Sequence, residues 1–198
     1  MSILRGECKV GGEGMDKKCS DCNINIKTIY INSRGHQVCK QCSNKNRSFL
    51  NDYKIENGEL KKYTILDKMD FQSILVELAT NIFRLDKLPQ STQSKKIAAL
   101  VKQSKRLMAK HNITELEFIQ GVAYTYLVKK ADTKKANYRF GLIPYTIEES
   151  RKFVSREQNK LKRQAEKALS NYQQETLIIK AKSTKVDKTK KLESKEWL

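Results

Sequence analysis

A chain of 198 residues with 38% hydrophobic and 31% charged side chains is short of apolar material for one compact globule, which excludes a single large core and predicts small cores with helical or extended appendages. Forty Lys+Arg against 22 Asp+Glu leave a formal charge of +18, and most of the cations are Lys, compact charges that neutralise phosphates without the planar fork that reads guanine edges. The excess points first to nucleic acid, DNA or RNA, single- or double-stranded; an acidic protein, an anionic membrane surface or the codon bias of an AT-rich genome gives a similar composition.

No apolar run approaches the ~18 residues of a membrane span, and residues 1–14 lack the apolar centre of a signal peptide. The expected setting is a bacterial or host cytoplasm, without a membrane partner. In such a reducing compartment paired CxxC motifs hold metal more readily than they form disulfides.

Residues 1–18 read as a flexible N-terminal segment. Within it GECKVGGEG precedes Met15, and Gly-Gly-Glu-Gly is what a purine-rich ribosome-binding sequence encodes when read in frame, so Met15 is an alternative start. Cys8 has no CxxC partner and falls outside the metal site.

From Cys19 to Cys42 the stretch CSDCNINIKTIYINSRGHQVCKQC carries two CxxC pairs. A CxxC turn grips a metal with two thiolates from one knuckle, and two knuckles complete the tetrahedral shell of one zinc ion. Cys19, Cys22, Cys39 and Cys42 are the predicted ligands of a single structural Zn2+, closed to substrate and water. Ile24 and Ile26 alternate with Asn23 and Asn25, and Ile29, Tyr30 and Ile31 form a β-prone run before the turn residues Ser33, Arg34 and Gly35, which predicts a hairpin between the knuckles. A short helix carrying the second pair is predicted next, with Phe49, Leu50 and Tyr53 on its apolar face.

Knuckle, hairpin and helix over residues 19–53 resemble the treble-clef or zinc-ribbon class of four-cysteine fingers. Treble-clef fingers include HNH-type endonucleases, whose water-activating histidine and further cation ligands this chain does not match: it has His36 and His111 and no His-His or Asp-His pair inside the finger. His36 reads as a turn residue. Arg34, Lys40, Lys45 and Arg47 surround the finger as candidate phosphate contacts, and Tyr30 either stacks on a base or packs the hairpin.

Residues 54–68 turn polar and read as a linker, with Asn57-Gly58 as a turn. A helical bundle over 69–145 follows. Phe71, Ile74, Leu75, Leu78 and Ile82 keep helical spacing in a first helix that stops before Pro89. A second, from about Ser94 to Lys110, has the core stripe Ile97, Leu100, Val101, Leu107 and Met108 under an outer face of Lys95, Lys96, Lys102, Lys105, Arg106 and Lys110. Thr114 and Glu117 form a capping box for a third, with Ile113 and Phe118 as its hydrophobic staple and Ile119, Val122, Ala123, Tyr126 and Leu127 as its buried stripe. A DNA-reading helix-turn-helix is disfavoured, because Glu115 and Glu117 stand where phosphates and base edges would lie.

The block KKADTKKANYRFGLIPY interleaves Lys129, Lys130, Lys134, Lys135 and Arg139 with Tyr138, Phe140 and Tyr145. Rings that stack bases beside ammonium groups that hold the backbone suit a single-strand platform, while Phe140, Leu142 and Ile143 suit the bundle core. A second capping box, Thr146 with Glu149, predicts a long basic helix over 146–176. Its apolar stripe of Val154, Leu161, Ala165, Ala168 and Tyr172 is thin, and Arg151, Lys152, Arg156, Lys160, Lys162, Arg163 and Lys167 outnumber its acids, so it is expected to project or to lie along a partner. Residues 177–198 read as a disordered Lys-rich tail ending in Trp197-Leu198, a short motif suited to a partner's groove.

The predicted fold class is therefore mainly α, with a small N-terminal α+β zinc finger, a helical bundle and one long basic helix. No catalytic constellation stands out. The leading functional reading is a non-enzymatic zinc-finger nucleic-acid-binding accessory protein of replication, recombination or transcription, of phage or mobile-element character. The alternative is an adaptor docking on a polymerase, helicase or nuclease through the bundle, and the third is a metal-dependent HNH-like nuclease.

Overall fold

The structure is a computed structural model that describes residues 17–193 except 27, 47, 135 and 138, with side chains placed through 178. Cys8, Met15, Arg47, Lys135, Tyr138, Trp197 and Leu198 lie outside the described residues or side chains. The chain is mainly α with a small α+β part, and no helix is long and apolar enough to cross a membrane among the described residues.

Strands β1 (Ile29–Ile31), β2 (Gln37–Val38), β3 (Asp52–Glu56) and β4 (Glu59–Tyr63) form one antiparallel sheet in the order β2-β1-β3-β4. The predicted hairpin is β1–β2, in register Tyr30 with Val38, turned by Gly35 at φ +79. Ile24 and Ile26 make no strand; among the described residues that segment pairs through an isolated bridge between Lys18 and Asn25. Helix α1 (Lys40–Lys45) is a single short element, so Phe49 and Leu50 fall in the bend after it and Tyr53 in β3.

Residues 54–68 are not a linker. Asn57 and Gly58, at φ 53 and 77, make the two-residue turn with both central residues left-handed that joins β3 to β4, the geometry best matched to strand twist. A 3-10 turn, Ile65–Asp67, then leads into the bundle, capped by Thr64 and Asp67.

The bundle comprises α2 (Phe71–Phe83), α3 (Gln90–His111), α4 (Glu115–Ala123) and the start of α5 (Ile143–Glu193). Asp70 caps α2, and left-handed Arg84 and Asn112 end α2 and α3. Thr114 and Glu117 form the predicted capping box on α4. Phe71, Phe83, Phe118, Tyr126 and Phe140 meet edge-on or tilted in its core, with Phe140 fully buried. Past Ala123 the chain widens into a π-helical turn, Tyr124–Val128, which shifts the helical register and leaves Leu127, expected in the buried stripe, 50% exposed.

Helix α5 begins at Ile143, one turn before the expected cap. Thr146 is therefore inside the helix, its hydroxyl 2.6 Å from that of Thr125 and bonded back to the Leu142 carbonyl, while Glu149 pairs with Lys129 instead of capping. The helix runs through residues 177–193, which the polar composition suggested were without structure. It does not project freely from its start: Ile143 and Ile147 join the bundle core, and Leu161 and Ala165 join the core under the sheet.

Candidate functional site

The two CxxC segments fold as knuckles whose backbone amides face sulfur or close the turn. Asn23, directly after Cys22, takes the left-handed conformation at φ 58 that Asn tolerates, and its N–H donates to the Cys19 carbonyl at 2.8 Å. The Ser20 N–H donates to the Gln37 carbonyl at 2.9 Å, tying the first knuckle to β2. Cys39 is the N-cap of α1: its Sγ accepts from the Cys42 N–H at 3.4 Å, and its own N–H donates across to Cys19 Sγ at 3.3 Å.

The four Sγ atoms all lie within 4.8 Å of one another, and Cys22 and Cys39 are 3.8 Å apart. A zinc ion with Zn–S bonds of about 2.3 Å sets tetrahedral sulfur edges of about 3.8 Å, so the donor set could hold one such ion. The electrostatics agree with a cation. At Cys19 burial works to raise the thiol, but N–H donors from Cys39, Asp21 and Cys22 outweigh it and hold it at about 7. Burial and the neighbouring sulfurs push Cys42 up, and burial raises Cys22. Four sulfurs so close cannot all ionise unaided; a divalent ion at their centre reverses that penalty. Cys19, Cys39 and Cys42 are buried and only Cys22 is exposed. His36, in the turn, and His111, at the end of α3, are not in the cluster.

The basic residues fall into three groups. Arg34, Lys40 and Lys45 are exposed around the finger. On α3, Lys95, Lys102, Lys105, Arg106 and Lys110 are exposed and take no ion pair among the described residues, and the helix contains no carboxylate in its 22 residues. A depression of ≈ 540 Å³ beside α3 brings Lys102 and Arg106 together with Arg139 and Lys96. Lys130 and Lys134 are exposed in the connection to α5, and Arg163 is exposed on α5.

Three of the predicted contacts are already engaged. Lys129 pairs with Glu149 at 2.7 Å, Arg151 with Glu117 at 2.9 Å and with Glu148, and Lys160 with Glu157 at 2.7 Å. Tyr30 is buried and meets Tyr63 edge-on, so it packs the hairpin and offers no face to a base.

Two features escaped the sequence. Lys68, 4% exposed, is held by Asp52, 0% exposed, and donates to the carbonyls of Ser43 at 2.8 Å and Asn46 at 3.0 Å, clasping α1 to the entrance of the bundle. Gln158 of α5 accepts from the Asn51 N–H at 2.9 Å and donates to the Asn51 carbonyl at 3.2 Å. Neither partnership has a local sequence pattern, because the residues are 16 and 107 positions apart.

Comparison with protein-family models, curated proteins and solved structures finds no significant match to this chain.

Proposed function

We propose that this chain is a metal-stapled, non-enzymatic nucleic-acid-binding accessory factor, serving replication, recombination or transcription, that holds its ligand through the phosphate backbone. The observation that carries the reading is α3: a 22-residue helix without a carboxylate, with Lys95, Lys102, Lys105, Arg106 and Lys110 exposed and in no ion pair among the described residues. A row of uncompensated cations costs self-repulsion in the free protein and is stabilised by a polyanion, whose condensed counterions are released on binding. The Arg139 side of the depression beside α3 extends the positive surface toward the connection.

The four cysteines act in this reading as the ligands of one structural zinc ion. Its place is to fix the β1–β2 hairpin and α1 in a sheet too small to hold itself. A closed four-sulfur shell leaves no coordination position for water or substrate, so no step of chemistry is assigned to it. The Lys-rich, AT-biased composition fits a phage or mobile-element origin.

The adaptor reading keeps one supporting observation, the exposed Leu127 and Val128 beside the π-helical turn, which suit a protein contact. Titration of labelled mixed-sequence DNA and RNA at ~50 mM salt separates the two. Binding that weakens steeply as salt rises supports the nucleic-acid reading, and no binding to any of them transfers the charge to an acidic protein partner.

A further inference from the structure

Helix α5 carries, beyond its packing face, a line of exposed residues at spacings of 4, 3, 4, 3, 4 and 4: Tyr145, Glu149, Lys152, Arg156, Asn159, Arg163 and Lys167. At 3.6 residues per turn these positions all fall within about 40° of Tyr145 around the helix, a stripe about 80° wide, and the line from Tyr145 to Lys167 is about 33 Å long. Tyr145 is 84% exposed, the most exposed of the large apolar side chains among the described residues, and it stands at the head of the line.

The ion pairs sort the charges of this helix. The acids between residues 148 and 166 are Glu148, Glu149, Glu157 and Glu166, and they pair with Arg151, Lys129, Lys160 and Lys162 respectively. None of those four cations is on the line. Lys152, Arg156, Arg163 and Lys167 are on it and take no ion pair among the described residues, and Lys129 neutralises the line's one carboxylate.

We infer that this line is a binding track for single-stranded nucleic acid, on which Tyr145 stacks an unpaired base and the four cations hold the backbone that follows. The inference rests on the nucleic-acid reading above and specifies its ligand. An exposed ring favours a single strand because a duplex hides its base faces, whereas a strand with free bases gains both stacking and phosphate neutralisation. An anionic surface without bases, such as heparin or an acidic protein, is served by the cations alone and gives the ring no partner.

The test uses the full chain with a labelled 20-nucleotide oligothymidylate, a mixed-sequence duplex of equal length and heparin as probes, for the native protein, Tyr145→Ala, Tyr145→Phe and the pair Arg156→Gln with Arg163→Gln. All these side chains are exposed, so folding is preserved. Expected are tighter binding of the single strand than of the duplex, a loss of at least about fivefold on the single strand in Tyr145→Ala, and affinity kept within about twofold in Tyr145→Phe. The Arg pair should lower the slope of log affinity against log salt by roughly 1.4 on the single strand. Heparin binding should not respond to Tyr145→Ala. If the native protein binds the single strand and Tyr145→Ala binds it equally well, or the duplex is preferred, the track is overturned while the general reading stands. If the native protein binds neither nucleic acid, the general reading falls and the track with it.

Discussion

Thr114 and Glu117 show what a single side chain contributes to this architecture. The Glu117 carboxylate accepts from the Thr114 N–H at 3.0 Å and its hydroxyl at 2.9 Å, and from Arg151 Nε at 2.9 Å, so one residue both starts α4 and binds it to α5. The Thr114 N–H is the chief cause that holds this carboxyl below its ordinary value, with Arg151 helping against burial. A depressed carboxylate stabilises the fold above its unfolded value of about 4.3, and that contribution is lost as pH falls through the lowered folded value. Thr114→Ala should destabilise the protein by about 1 kcal/mol in urea titrations at neutral pH. Glu117→Gln should be less stable than the native protein at neutral pH and converge with it in strong acid; a gap that persists there would place its origin outside this ionisation. This cap was readable in the sequence because its geometry is local. The same pattern at Thr146 and Glu149 was misleading: Ile143 is fully buried in the bundle core, which draws the helix start back a turn, and Lys129, 20 positions away, claims the carboxylate.

At the scale of elements, the parts with a strong period were legible and those set by distant partners were not. Helices α2, α3 and α4 follow from apolar spacing and from Thr114. Strand β4 escaped because Glu59, Lys61 and Lys62 make it a charged sheet edge, polar enough to pass for a linker, even though Asn57-Gly58 is a strong hairpin signal. The end of α4 escaped because a π-helical turn breaks the 3.6-residue period. The joint between sheet and bundle depends on the buried Asp52–Lys68 pair, with Lys68 Nζ also 5.4 Å over the Tyr63 ring. Removing one member leaves the other buried and uncompensated. Lys68→Met should therefore destabilise the protein by about 3–5 kcal/mol, and adding Asp52→Asn should restore part of the loss. Losses in Lys68→Met and Asp52→Asn that simply add up to the loss in the double variant, measured in the same urea series, would show that the pair is not coupled.

The whole molecule is two small cores joined along one helix. The bundle core gathers residues from Ile65 to Ile147, and the sheet core gathers Cys19 to Ile55 with Leu161 and Ala165 of α5. The ties continue along α5: Gln158 holds Asn51, Gly35 approaches Gln164 so closely that a Cβ there would meet its side chain, and Lys17 pairs with Glu175 at 2.9 Å while lying over the Tyr172 ring. Composition announced the small cores but not that one helix serves both, since a thin apolar stripe reads equally well as a free surface. A metal ion held by the four cysteines would thus support more than the finger. Its removal by a chelator, or Cys42→Ser, should release the sheet and the part of α5 from about residue 158 onward in hydrogen exchange, while α2, α3 and α4 keep their protection. Loss of protection throughout would mean that the bundle core cannot stand alone. One zinc per chain by elemental analysis is the accompanying expectation.

On the proposed function, the exposed cations of α3 that take no ion pair among the described residues hold a phosphate backbone, and the claim is open to direct test. It is tested most directly by the salt dependence of binding to one mixed-sequence duplex or single strand, compared between the native chain and a variant with Lys102, Lys105 and Arg106 replaced by Gln. These side chains are exposed, so the fold should be unchanged. Each lost phosphate contact removes about 0.7 to 0.9 from the slope of log affinity against log salt, so the triple variant should bind every sequence more weakly with a slope flatter by roughly 2 to 3. A variant with native affinity and native slope would contradict the claim.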